Sequence, residues 1–154
     1  MKYLRGNSIN QIEIADDFCE AYERCFESGD DGHFVSIPAF TNGLFACELY
    51  LKYLLGNNID RVRKNERHNL CKLFNALDES IKNELKMVKC DSRYSLQSLL
   101  SDIGDGFVSW RYIFEDGNES FGEGRPFEYS DYFLKTYLPA LKEIAHKYNS
   151  NKEN

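Results

Sequence analysis

The feature that most constrains this sequence is a run of twelve residues, 44–55, in which only two side chains are charged and nearly all others are apolar. An α-helix over this run presents apolar groups on nearly every side, so it has to lie at the centre of a fold. The two charges, Glu48 and Lys52, are four residues apart and share one face of the helix, where they can pair. Such a pair is either an internal tie between helices or the floor of a ligand pocket, and the sequence leaves both interpretations open.

Five segments repeat apolar residues with the spacing of an amphipathic helix, and no segment alternates strongly enough to be a strand. They cover about residues 8–27, 37–55, 69–89, 95–114 and 129–148. The sequence therefore predicts an all-α fold, an antiparallel bundle of four or five helices. We expect a single domain over residues 1–154, with its core from about residue 8 to about residue 148 and a polar C-terminal tail.

Composition narrows the class of protein. No apolar run approaches the ~20 residues that cross a bilayer, and the N-terminus lacks the apolar core of a signal peptide, so we expect a cytoplasmic protein without membrane contact. The cysteines number five and form no C-x-x-C pair, which predicts reduced thiols in the core rather than disulfides or a zinc site. The three histidines have no spacing that suggests a shared metal, and neither a metal nor another cofactor is expected.

Charge is unevenly distributed along the chain. The net charge of −6 argues against a general nucleic-acid coat, and the first predicted helix is acidic. Residues 61–72, in contrast, are basic: Glu66 is the one acid among Arg61, Arg63, Lys64, Arg67 and Lys72. Such segregation can focus a local positive field on an acidic protein. Alternatively, the acidic and basic elements face each other in the fold or across a dimer.

His68 lies inside this basic segment, with four residues between it and Arg63 and six between it and Arg61. A histidine can deprotonate the ribose 2′-OH, and an arginine can stabilise the charge that builds on phosphorus, so the two can cleave RNA without metal. In this interpretation His68 is the base, Arg63 holds the phosphate, and Arg61 and Arg67 steer the substrate. In the alternative interpretation His68 marks the start of the third helix and the arginines are solvated.

Arg111 and Tyr112 lie late in the fourth predicted helix. Arg111 can pair with Glu115 one turn later or reach Glu48, which would tie helices two and four together. A role in holding a ligand phosphate is the other interpretation. Tyr112 can stack on a nucleic-acid base or lie in the core with a solvated hydroxyl.

Three pieces of the sequence resemble the HEPN family, the helical domains named for higher eukaryotes and prokaryotes nucleotide-binding. Residues 46–55 are similar to the central helix of that family with its acid and lysine, residues 68–74 to its His-polar-Leu helix start, and residues 110–112 to its late Arg-Tyr step. The resemblance implies a helical bundle, commonly a homodimer, that binds RNA or a nucleotide. It also implies a role in toxin–antitoxin or phage-defence systems, with an antitoxin or a nucleotidyltransferase as partner.

Many HEPN proteins are metal-independent ribonucleases in which an arginine is followed, after four to six residues, by a histidine. Arg63 or Arg61 with His68 satisfies that spacing. The resemblance therefore implies a ribonuclease whose catalytic residues are Arg63 and His68. Other members lack an active pair, and the alternative is a noncatalytic helical module that dimerises or binds a partner protein. In the first reading the residues that contact RNA or a nucleotide are Arg61, Arg67, Glu48, Lys52, Arg111 and Tyr112.

Overall fold

The computed structural model describes residues 10–26, 36–89, 94–104 and 125–153. Within these ranges the chain forms α-helices and short 3₁₀ helices and no strand, which confirms the prediction of an all-α fold. Two 3₁₀ helices, Gly56–Arg61 and Lys64–Glu66, lie between the second and third α-helices. The α-helices are α1 (Gln11–Arg24), α2 (Ser36–Leu55), α3 (Leu70–Ala76), α4 (Glu79–Lys86), α5 (Leu96–Ile103) and α6 (Arg125–Glu153).

Helix α2 is the central element, as its apolar sequence predicts. It packs against α1, α3 and α6, and Phe40, Leu44 and Tyr50 are among the largest fully buried side chains of the protein. The helix lies close to α1 and α6 at Gly43, where a Cβ atom would lie 2.9 Å from both Tyr22 and Leu134. A glycine here lets three helices meet without a steric clash.

We expect Gly43→Ala to lower the free energy of unfolding by about 1–2 kcal/mol. Overpacking of a core costs about 1–3 kcal/mol, and the contacts of 2.9 Å place this site in the upper half of that range. The better helix propensity of alanine returns roughly 1 kcal/mol of the cost. Urea denaturation followed by circular dichroism measures the difference. Asn42→Ala is the matched control, because it gains helix propensity on the same turn without the clash. Equal stability of Gly43→Ala and the wild-type protein would contradict the close approach of the helices.

The third predicted helix is divided in the structure into α3 and α4. Leu77 and Asp78 between them have extended backbone angles, and Asp78 is the N-cap of α4, a position that aspartate favours. The apolar periodicity continues across the break because Leu77 and Ile81 are both buried in the same core. The expected single helix over about residues 69–89 is therefore two shorter helices with a common buried face.

Helix α5 is shorter than the segment predicted from periodicity. Ser95 caps its start by accepting a hydrogen bond from the Ser98 backbone N–H at 3.1 Å. It ends before Gly104, whose φ of +48° lies in the left-handed region that favours glycine. The predicted continuation to about residue 114 does not occur as one helix, and residues 105–124 lie outside the described ranges.

Helix α6 is longer than predicted and runs through Pro139. Of the helices that the structure describes, none has the length and apolar character needed to cross a bilayer. The cysteines in the described part of the chain form no disulfide bond: Cys19, Cys25, Cys47 and Cys71.

Candidate functional site

A fully buried carboxylate forms the base of the candidate site. Glu48 lies on α2, the central helix, and its side chain is 0 % exposed. The Lys52 ammonium, one turn later, lies 2.5 Å from Glu48 Oε1, so the two residues form the ion pair that their spacing predicts. A buried carboxylate is costly unless charged or hydrogen-bonding groups compensate it, and Lys52 is one such group.

His68 is the second group on this carboxylate. Its Nδ1 atom lies 3.0 Å from Glu48 Oε1, while 54 % of its side chain is exposed to solvent. The two residues are 20 positions apart in sequence. The contact thus links a charge in the core of the bundle to an imidazole on the surface.

The turn that carries His68 is fixed at several points. Arg67 donates from Nε to the Val62 carbonyl at 3.1 Å, and its guanidinium also pairs with Asp60 at 3.0 Å. On the other side of His68, Asn69 caps α3 by accepting from the Lys72 backbone N–H at 3.1 Å. These bonds hold the backbone on both sides of the imidazole, so its orientation does not depend on the Glu48 contact alone.

The contact with Glu48 determines which nitrogen of His68 is available for chemistry. An ionised carboxylate only accepts hydrogen bonds, so Nδ1 carries a hydrogen atom and donates a hydrogen bond to Glu48. In the neutral ring Nε2 is then left as the proton acceptor, on an imidazole that reaches solvent. Lys52 Nζ and His68 Nδ1 lie 2.5 and 3.0 Å from the same oxygen, so they are at most 5.5 Å apart. The His68 imidazole and the Lys52 ammonium therefore lie close together.

Glu48 has an unused hydrogen-bonding position. Its Oε2 atom is buried and accepts no hydrogen bond from the residues that the structure describes. A buried acceptor without a donor costs about 1–3 kcal/mol. Arg111, which the sequence suggests as one partner for Glu48, lies outside the described ranges, and so does Tyr112.

The arginines of the basic segment have separate environments. Arg61 pairs with Asp78 at 3.2 Å and Arg67 with Asp60 at 3.0 Å, so each is held by a carboxylate. Arg63 is exposed, and its guanidinium forms no hydrogen bond or ion pair with any residue in the described ranges. The structure thus brings together Glu48, Lys52 and His68, and it records no contact between Arg63 and His68.

A second polar cluster was not predicted from the sequence. Tyr50 donates its hydroxyl hydrogen to Asp16 Oδ1 at 2.5 Å, and His146 Nε2 lies 2.9 Å from both oxygens of the same carboxylate. Burial and the hydrogen bond with Asp16 raise the pKa of Tyr50, so the tyrosine remains a donor. The cluster joins α1, α2 and α6, and no local spacing could indicate it because Asp16 and His146 are 130 residues apart.

Comparison of the chain with protein-family models, with curated proteins and with solved structures finds no match. Among the residues with described positions, no group of three or more histidine, cysteine, aspartate or glutamate side chains is arranged to hold a metal ion. The described side chains that meet at the site are a carboxylate, a lysine and a histidine, with further basic residues nearby in the chain.

Proposed function

We propose that this protein is a HEPN-like ribonuclease that binds RNA at His68 and cleaves it with its own side chains. The observation that carries the proposal is the contact between His68 and the buried carboxylate of Glu48. A surface histidine held by a carboxylate has a defined orientation and tautomer, with one ring nitrogen left to accept a proton as a general base does. The Lys52 ammonium contacts the same carboxylate oxygen and supplies positive charge close to the imidazole.

In the proposed reaction His68 Nε2 removes the proton from a ribose 2′-OH. The 2′ oxygen attacks the adjacent phosphorus, and the bond from phosphorus to the 5′ oxygen of the next nucleotide breaks. That oxygen takes a proton from water, so the products are a 2′,3′-cyclic phosphate and a 5′-hydroxyl. Glu48 stabilises the imidazolium that forms, as a carboxylate does for a catalytic histidine.

Two cations are candidates for stabilising the phosphorane-like transition state. Lys52 is at most 5.5 Å from the histidine Nδ1, because both contact the same oxygen at 2.5 and 3.0 Å. Arg63 is exposed and has no competing carboxylate in the described part of the chain, so its guanidinium is available to a phosphate. We assign both to the proposed site. Arg67 fixes the turn that carries His68, and Arg61 lies outside the site.

The chemistry of the products tests the proposal. We expect the purified wild-type protein to cleave single-stranded RNA in the presence of EDTA and to leave 2′,3′-cyclic phosphate and 5′-hydroxyl ends. Resistance of the 5′ ends to ligation until a kinase phosphorylates them measures the second product. Cleavage that leaves 3′-hydroxyl ends would contradict the mechanism. Absence of cleavage would contradict the enzyme and favour a noncatalytic interaction module.

A further inference from the structure

A groove of about 520 Å³ lies between the 3₁₀ helix Gly56–Arg61 and the helices α3 and α4. This volume falls within the range of roughly 300–1,000 Å³ that small-molecule and nucleotide sites occupy. Both cations and carboxylates line it. Its polar lining consists of Arg61, Lys72, Asn75, Asp78, Glu79 and Lys82.

Arg61 is fixed in this groove but retains binding capacity. Its Nη1 atom donates to Asp78 at 3.2 Å and to the Ala76 carbonyl at 3.4 Å. A guanidinium has five N–H donors on three nitrogens, so donors on the other two remain for a ligand. Both partners of the Arg61–Asp78 pair are more than half exposed, and such a pair contributes only ~0–1 kcal/mol, so a phosphate can share the guanidinium.

Lys72 connects the groove to the proposed catalytic site. Its side chain is exposed, and its ammonium has no hydrogen bond or ion pair with another residue of the described part of the chain. Its backbone N–H bonds to Asn69, the cap of α3 and the residue that directly follows His68. Lys72 therefore lies in the first turn of α3, four residues after His68, while its side chain lines the groove.

The carboxylates in the groove indicate which kind of anion fits. Asp78 and Glu79 accept hydrogen bonds and repel a second negative charge, so the groove favours a ligand that carries donors beside a single anionic group. Glu79 is held by Lys82 at 2.5 Å, which leaves Lys72 and Arg61 for the ligand. A ribonucleotide combines one phosphate with hydroxyl and amino donors, and this combination matches two cations beside carboxylate and amide acceptors.

We infer that the groove is a second RNA subsite, in which Arg61 and Lys72 bind the phosphate of a nucleotide next to the one cleaved at His68. This inference rests on the proposed function and extends it: the substrate is a strand of several nucleotides rather than a dinucleotide. Asp78 and Asn75 then face the ribose and base of the nucleotide in the groove.

Cleavage of substrates of two lengths tests the subsite. A dinucleoside monophosphate has one phosphate, which occupies the site at His68, so Lys72→Gln leaves its kcat/KM unchanged. For a longer single-stranded RNA, the same variant lowers kcat/KM about fivefold to tenfold, the loss expected when one phosphate contact is removed. Lys89→Gln is the matched control, since Lys89 is also exposed and lies outside the groove. Equal effects of Lys72→Gln on both substrates, or none on either, would overturn the inference.

A binding measurement separates the subsite from the reaction. In the His68→Gln background, in which cleavage is slow, the affinity for a short fluorescein-labelled single-stranded RNA is measured at several salt concentrations. Lys72→Gln reduces the slope of log K against log [salt] by about 0.7, whereas Lys89→Gln does not. If the wild-type protein binds RNA but does not cleave it, the proposed reaction is contradicted, while the salt dependence still tests whether the groove binds a phosphate. If it binds no RNA, both proposals fail.

Discussion

Replacing His68 with glutamine is expected to lower the rate of RNA cleavage by about 10²–10⁴-fold, the usual contribution of a general base. Glutamine retains a side chain of similar size that can still hydrogen-bond to Glu48, but it cannot take up a proton. The measurement is the initial rate of cleavage of a fluorescent single-stranded RNA under saturating substrate. Because 54 % of the His68 side chain is exposed, the loss of packing is small and the fold is expected to persist.

His146→Gln provides the matched control for this experiment. His146 is also a surface histidine on a carboxylate, with Nε2 2.9 Å from Asp16, but it joins α6 to α1 and has no contact with Glu48. We expect the His146→Gln protein to cleave RNA at the wild-type rate. If both variants keep full activity, or if both lose it while their thermal unfolding is unchanged, His68 is not the specific base.

Replacing Lys52 with methionine is expected to lower the free energy of unfolding by about 3 kcal/mol. Removing one partner of a buried ion pair leaves an uncompensated charge and costs roughly 3–5 kcal/mol. The lower end applies because His68 still contacts the same oxygen of Glu48. Methionine keeps the length and apolar stem of the lysine, so the loss reports the charge. Urea denaturation at neutral pH measures it.

Lys82→Met is the control for this stability measurement. Lys82 is similarly covered, with 15 % of its side chain exposed, but its carboxylate partner Glu79 is 75 % exposed. Water solvates Glu79 after the lysine is removed, so we expect a much smaller loss than for Lys52→Met. A second comparison uses the double variant Glu48→Leu with Lys52→Met, which removes the buried charge along with its partner and recovers most of the stability. A Lys52→Met protein as stable as the Lys82→Met protein would contradict the electrostatic role of the pair.

The central helix and its ion pair could be predicted from the sequence because both depend on local spacing. A helix that is apolar on nearly every face is stable only when it is buried at the centre of a fold. Residues four apart in a helix lie on the same face, one turn from each other. The structure confirms both for α2 and for Glu48 with Lys52. The sequence also indicated His68 and Glu48 as separate candidates, but their contact depends on the path of the two 3₁₀ helices between them.

The division of the third predicted helix could not be read from periodicity. Apolar residues keep helical spacing across the break, since Leu77 and Ile81 face the same core. The break coincides with a contact between Asp78 and Arg61, which are 17 residues apart. The same limit applies to the cluster of Asp16, Tyr50 and His146, because a pattern search within one helix contains no information about its partner helices.

Gly104, at the end of α5, is hydrogen-bonded to the start of α3, close to His68 in the chain. Its carbonyl oxygen accepts a hydrogen bond of 3.0 Å from the backbone N–H of Leu70, two residues after His68. Its φ lies in the left-handed region, which residues with a side chain rarely adopt. The position of the imidazole is thus set partly by a residue that never touches it. A substitution at Gly104, at the end of α5, is therefore a way to shift the position of His68 while every side chain that contacts Glu48 stays the same.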